Sequence, residues 1–91
     1  MSDLRGLIER VEKAREVDNR LDCEIDVALF KPDRRHRSVR MNAAGTKLIY
    51  TRHDGSQDTY RSWLHTLNVG TRVRAIALLR SLNTTEGGEA E

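Results

Sequence analysis

The sequence predicts a small α+β domain in which an antiparallel sheet of two or three strands is covered by N-terminal and C-terminal helices, as an α-β-α sandwich. Apolar residues recur with helical spacing near both ends of the 91-residue chain, and two strand-like runs bounded by turn residues lie between them. A chain of this length buries one core. We therefore predict one domain over residues 1–83 and a disordered polar tail over residues 84–91.

Two successive amphipathic patterns indicate two helices near the N-terminus. The first has the i, i+3, i+4, i+7 spacing of a helix with one buried side and is formed by Leu4, Leu7, Ile8 and Val11. The second is formed by Leu21, Ile25, Ala28 and Leu29. We predict a break at residues 16–18, because Asp18 can cap a second helix. One bent helix is the alternative. The second pattern ends before Pro32, which disfavours helical backbone at Lys31.

The central region is predicted to form strands at residues 38–41 and 47–51, with turns at residues 42–45 and 53–55. Residues 57–62 have two interpretations, which coexist if a short strand passes into a helix. One is a third strand, and the other is a helix with an apolar face formed by Tyr60, Trp63, Leu64 and Leu67. Because Trp63 lies on that apolar face, we expect it in the core and not in a base-stacking role.

The C-terminal region is predicted to form a further helix capped by Thr71, after Gly70 ends the preceding element. Its apolar side is formed by Ala75, Leu78, Leu79 and Leu82. Burial of this side within the monomer is the favoured interpretation, and a homodimer through the C-terminal helix is the alternative.

Parts of both helical regions resemble a known family. The runs Leu7-Ile8-Glu9-Arg10-Val11-Glu12 and Leu21-Asp22, with Asp18, Ile25 and Ala28-Leu29, are similar to the start of the phage ABA-sandwich domains. The run Arg74-Ala75-Ile76-Ala77-Leu78-Leu79-Arg80 is similar to the closing helix of that family. The resemblance covers residues 7–30 and 73–82 and implies an α-β-α layered fold of phage or prophage origin. It brings no functional residues, since that family has no established activity.

Charge is distributed unevenly along the chain. Residues 1–30 carry eight acidic and five basic side chains, whereas residues 31–40 carry five cations and one carboxylate, Asp33. The cations are Lys31, Arg34, Arg35, Arg37 and Arg40, and we take them as the candidate binding residues. One interpretation pairs them with the acidic helices that precede them. The other gives them a role in binding nucleic-acid phosphates or an acidic protein, to which His36 adds a cation where its pKa is raised.

No residue pattern indicates catalysis, a metal or a cofactor. Asp22 and Asp26 are four residues apart, and we interpret them as part of a solvated acidic face. His36, His53, His65 and Cys23 have none of the spacings of metal ligands, and a single cysteine excludes an internal disulfide. We therefore expect no catalytic residues, no metal, no cofactor and no enzymatic activity.

Neither a signal peptide nor a membrane-spanning run is recognisable in the sequence, which favours a cytoplasmic protein of a bacterial host cell. The favoured function is a non-enzymatic binding module of phage or prophage origin that acts on a host or phage macromolecule, with inhibition of a bacterial defence system as a specific role. The alternative is nucleic-acid binding through residues 31–40.

Overall fold

The computed structural model of the chain describes residues 4–90, and it describes side chains for residues 4–82. Three helices and a three-stranded antiparallel sheet form the fold. The predicted α+β class is therefore confirmed. In chain order the elements are α1 (Leu4–Lys13), α2 (Asn19–Leu29), β1 (His36–Met41), β2 (Leu48–Arg52), β3 (Gln57–Tyr60) and α3 (Val69–Ala90).

The predicted break between the first two helices is confirmed. Asp18 is the N-cap of α2, and its Oδ1 accepts a hydrogen bond from the Leu21 amide at 3.0 Å. This bond satisfies one of the amides that the first turn of a helix leaves unpaired. α2 ends at Leu29, with Phe30 as an extended C-cap residue, before Pro32 as predicted.

The sheet has the order β1-β2-β3, and both connections are hairpins. Gly45 and Gly55 have positive φ in the two turns, a conformation that glycine adopts without steric cost. The strand order confirms the third strand, β3. The register between β1 and β2 shifts between His36 and Ser38, so that Arg37 is the extra residue of a bulge.

The two faces of the sheet have different surroundings. Alternation along the strands, together with the register, places Val39, Met41, Leu48, Tyr50 and Asp58 on one face. Leu48 is fully buried on this face, and the Tyr50 ring contacts the ring of Phe30 at the end of α2. The opposite face, which we call the open face, has exposed side chains on β1 and β3 and half-buried ones on β2.

The main core lies between the helices. α1, α2 and α3 pack on one another, and α2 also packs on β1. The buried cluster consists of Leu7, Ile8, Val11, Leu21, Ile25, Ala75 and Leu79. All of these residues lie on the predicted apolar sides. Within residues 4–90, no helix is both long and apolar enough to cross a membrane.

The predicted helix after β3 is not present. Residues 61–68 form an irregular segment of turns, which we call the 61–68 segment. The expectation that Trp63 lies in the core is also wrong, since its side chain is 75% exposed. The apolar spacing of residues 60–67 is helical, but the amides of Trp63 and Thr66 donate to side chains of α2, as described below.

Capping of the last helix also differs from the prediction. Asn68 precedes α3, and its Oδ1 accepts from the Thr71 amide at 2.9 Å, while the Thr71 hydroxyl accepts from the Asn68 amide at 3.0 Å. This reciprocal pair is a capping box, so that α3 begins at Val69 and Thr71 is its third residue. α3 continues to Ala90, but the side chains of residues 83–91 lie outside the described ones. A separate polar tail over 84–91 stays a prediction.

Candidate interaction surfaces

The 61–68 segment is held by three aspartates of α2 and its cap. Asp18, Asp22 and Asp26 are spaced four residues apart and therefore lie on one side of the helix. The Asp22 Oδ1 accepts from the Thr66 amide at 2.7 Å, and the Asp26 Oδ2 accepts from the Trp63 amide at 2.9 Å. The Asp18 amide donates to the Thr66 hydroxyl at 2.8 Å. The segment therefore runs antiparallel along α2.

Two side chains complete this attachment. The His65 Nε2 lies 2.7 Å from the Asp26 Oδ1, and both side chains are almost completely buried. The Arg72 Nη1 donates to the Thr66 carbonyl at 3.1 Å and ties the segment to the first turns of α3. The Asp22–Thr66 bond is buried, the bonds of Asp18, His65 and Arg72 are partly buried, and the Asp26–Trp63 bond is exposed. Breaking the buried bond leaves an unpaired buried group, which favours one conformation of the segment at Thr66.

The interpretation of Asp22 and Asp26 as a solvated face is therefore wrong. Asp22 is fully buried, and the Asp26 side chain is only 11% exposed. The spacing of Asp18, Asp22 and Asp26 is the signal that identifies this role. The three aspartates lie next to the apolar stripe of α2, where a packed neighbour is expected to cover their side chains.

The same attachment exposes an apolar surface. The side chains of Trp63, Leu64, Leu67, Val69 and Val73 are each about half exposed or more, and we call them the apolar patch. Large aromatic and aliphatic side chains that are exposed together on a fixed backbone are characteristic of binding surfaces. Because α2 rises about 1.5 Å per residue, the contacts at Asp26 and Asp18 lie roughly 12 Å apart. The segment therefore presents its apolar side chains over about that length.

The basic residues at 31–40 are exposed and lie in separate places. Arg34 and Arg35 line a cleft of about 310 Å³ together with Arg52, His53 and Asp54. Arg40 lies at the other end of β1, on the open face. Within residues 4–82, none of the five cations forms an ion pair. The cations that pair with acidic residues of α1 and α2 are instead Arg10, Arg20 and Arg80.

One carboxylate, Asp54, lines the cleft at Arg34 and Arg35, and a second, Asp33, directly precedes Arg34 in the chain. Asp33 accepts from the amides of Arg35 and His36, both at 2.8 Å, and these bonds lower the pKa of its carboxyl group. Asp54 is bound by Ser56, which lowers its pKa as well. Arg52 forms a bidentate pair with Asp58. The local field of Arg34 and Arg35 is therefore largely compensated.

His36 does not extend the basic surface. It is buried at the start of β1, its Nε2 lies 2.9 Å from the Asp58 Oδ2, and its ring centroid lies 5.0 Å from that of Tyr50. The bidentate bonds from Arg52, followed by the His36 contact, lower the pKa of Asp58 from 3.8 to about 2. These bonds join β1, β2 and β3 at one end of the sheet.

A pH-dependent stability difference follows from the lowered pKa of Asp58. A carboxyl group whose pKa is lower in the folded state stabilises that state fully above its unfolded-state pKa of about 4, and this contribution is lost as pH falls towards about 2. We expect the wild type to be more stable than Asp58→Asn at neutral pH and to lose this advantage below about pH 4. Urea unfolding of the wild type and of Asp58→Asn across the acid range measures this difference in the free energy of unfolding. Glu9→Gln, an exposed change on α1, serves as control, and a difference that stays constant with pH contradicts the assignment.

Comparison of the chain with protein-family models, curated proteins and solved structures found no significant match. The resemblance to phage ABA-sandwich domains therefore stays a prediction.

Two features of the described part of the chain concern sites for metals and small ligands, a buried cysteine and an apolar cleft. No group of three or more His, Cys, Asp or Glu residues there is arranged to hold a metal ion. Cys23 is buried, and burial raises the pKa of its thiol. A cleft of about 510 Å³ is lined mainly by apolar residues of α1, α2, β1 and α3, and Arg10 and Glu24, which also line it, are paired with each other. The absence of enzymatic activity stays a prediction.

Proposed function

We propose that the protein is a protein-binding module that uses the apolar patch. The observation that supports this most directly is the exposure of Trp63 on a segment whose backbone is fixed by Asp22 and Asp26. A fixed, exposed tryptophan gives a large contact area at little cost in conformational entropy, and tryptophan is enriched among residues that dominate binding energy.

The partner is proposed to carry an apolar surface with an acidic rim. The stretch from residue 59 to residue 82 contains no carboxylate, and Arg74 is exposed beside Val73 without an ion pair in the described part. A partner with acidic groups around its apolar centre is complementary in charge. On the resemblance to phage proteins, the partner is a host or phage protein in the bacterial cytoplasm. A component of a bacterial defence system is the most specific form of this proposal.

The test compares patch variants with the wild type against nuclease-treated bacterial lysate. The double variant Trp63→Ser/Leu67→Ser changes two exposed side chains, so its stability should stay within about 1 kcal/mol of the wild type. Leu78→Ser is the control, because Leu78 lies on α3 outside the patch. Any captured protein is then purified and titrated with each variant.

We expect an identified partner with an acidic-rimmed apolar surface whose affinity falls about 30-fold or more in the double variant, as for a hot spot of about 2 kcal/mol. The Leu78→Ser control should keep wild-type affinity. A partner bound equally by the double variant overturns the proposal. Sedimentation of the purified chain tests whether a second copy of the chain binds the apolar patch. Self-association that the double variant abolishes would replace the proposed partner with a homodimer.

Nucleic-acid binding is the second candidate function. It is favoured by the exposure of Lys31, Arg34, Arg35, Arg37 and Arg40, none of which pairs with a carboxylate in the described part. The cleft at Arg34 and Arg35 is locally compensated, as described above, so that these two arginines are not the strongest part of the cationic surface.

A further inference from the structure

The open face of the sheet differs in chemistry from the rest of the surface. Strand alternation and register place two rows of side chains on it: Ser38, Thr51 and Gln57 in one, and Arg40, Ile49 and Thr59 in the other. Lys47 and Arg61 lie one residue outside the last pair of β2 and β3, Leu48 and Tyr60, and the same alternation, extended by one residue, assigns them to this face as a third row. None of these eight residues is acidic, since Asp58 lies on the opposite face.

The polar side chains of this face have no partners within the protein. Within residues 4–82, the cations Arg40, Lys47 and Arg61 form no ion pair or side-chain hydrogen bond. The same holds for the polar side chains of the strands on this face, Ser38, Thr51, Gln57 and Thr59. By contrast, Asp58 on the other face is engaged by both His36 and Arg52. The open face therefore carries unused donors and uncompensated positive charge.

We propose that the open face binds the sugar-phosphate backbone of nucleic acid, with Arg40, Lys47 and Arg61 contacting phosphates. Hydroxyl and amide side chains such as those of Ser38, Gln57 and Thr59 are, with Arg and Lys, the groups that usually contact phosphates and sugars. The face measures about 10 Å across three strands and roughly 13 Å along three rows, enough for several phosphates. It carries no aromatic side chain, so the binding is independent of sequence and without base stacking.

Other occupants fit this face less well. A second copy would place like charges opposite one another, which is unfavourable. An acidic protein would find a single large apolar residue, the half-buried Ile49, whereas the centre of a protein interface is apolar. The open face and the apolar patch share no residue, so that this inference does not depend on the proposed protein partner.

The test is a salt titration of binding to short labelled single-stranded and duplex DNA. The variant Arg40→Gln/Lys47→Gln/Arg61→Gln removes the three cations, and all three side chains are exposed. Arg5→Gln/Lys13→Gln/Arg15→Gln is the matched control, because it removes the same charge from exposed positions on and just after α1. Circular dichroism and thermal unfolding verify that each variant is folded.

We expect weak wild-type binding at low salt that falls steeply as salt rises. The open-face variant should bind at least about tenfold more weakly, and the slope of log affinity against log salt should fall by about 2 to 3, at 0.7 to 0.9 per phosphate contact. The control should keep most of the affinity. Gln57→Glu, which places a carboxylate on the face with almost no change of shape, should also weaken binding.

Several outcomes overturn this inference. Absence of binding at low salt, or equal losses in the open-face and control variants, excludes a site on the open face. Loss of binding in Arg34→Gln/Arg35→Gln without loss in the open-face variant assigns the site to the cleft instead. Equal binding of polyglutamate assigns it to acidic polypeptides. The Trp63→Ser/Leu67→Ser variant should keep DNA binding, so that failure here leaves the protein-binding proposal intact, and the reverse also holds.

Discussion

Replacement of Asp22 by alanine should lower the free energy of unfolding by about 1–3 kcal/mol. Asp22 and Thr66 are both fully buried, and the Asp22 Oδ1 accepts from the Thr66 amide. Alanine removes the acceptor and leaves that amide buried without a partner. For a domain whose total stability is on the order of 5–10 kcal/mol, this is a large fraction.

Asp22→Asn separates the hydrogen bond from the charge. The Asp22 Oδ2 is buried and has no hydrogen-bond partner within the described residues, so the carboxylate is only half satisfied. Asparagine keeps an oxygen for the Thr66 amide and removes the burial of a charge, and we expect a smaller loss than with alanine.

Urea unfolding followed by far-UV circular dichroism measures these differences, since the exposed Trp63 is a poor probe of the core. Amide exchange at Thr66 should become faster in Asp22→Ala. Glu16→Ala, an exposed change in the α1–α2 connection, is the control and should stay within about 0.5 kcal/mol of the wild type. Equal losses in Asp22→Ala and Asp22→Asn contradict the role assigned to the hydrogen bond.

Replacement of Leu48 by alanine should cost about 2–5 kcal/mol. Leu48 lies on the central strand and is fully buried on the face of the sheet opposite the open face, whereas the main buried cluster is formed by helical residues alone. Removing its side chain leaves a cavity between sheet and helices, and the lost burial weakens the attachment of the sheet.

Ile49→Ala is the matched control for Leu48→Ala. Ile49 is the next residue, an aliphatic side chain of the same size, but it lies half-buried on the open face. We expect a loss below about 1.5 kcal/mol, because the side chain is partly hydrated in the folded protein. Similar losses in the two variants, measured by urea unfolding, would show that the open face is covered in solution.

Local patterns determined most of the secondary structure. The apolar stripes of α1 and α2, the cap at Asp18, the glycine turns at Gly45 and Gly55 and the last helix all depend on residues close in sequence. Such elements are predictable because periodicity, capping and turn chemistry act over a few residues. The concentration of cations at residues 31–40 is likewise a property of the sequence.

The interaction surfaces were decided by tertiary contacts. Residues 61–67 have helical apolar spacing, yet they form an irregular segment. Asp22 and Asp26, about 40 positions earlier in the chain, accept hydrogen bonds from the Thr66 and Trp63 amides and hold the segment in this conformation. For this reason Trp63, expected in the core, is exposed, and Asp22, expected in solvent, is buried.

The cationic side chains show the same difference between what local sequence determines and what tertiary contacts decide. The sequence alone identifies the group around Arg34 and Arg35, with Asp33 next to it, but the fold adds Asp54 of the β2–β3 turn to the same cleft. Strand pairing also assigns Arg40 of β1, Lys47 before β2 and Arg61 after β3 to one face, on which none of the eight residues named above is acidic. The sequence by itself determined the α+β class and most of the elements. Only the pairing of strands and the packing of the 61–68 segment on α2 decided which side chains are free to bind, because long-range contacts determine which polar groups are satisfied.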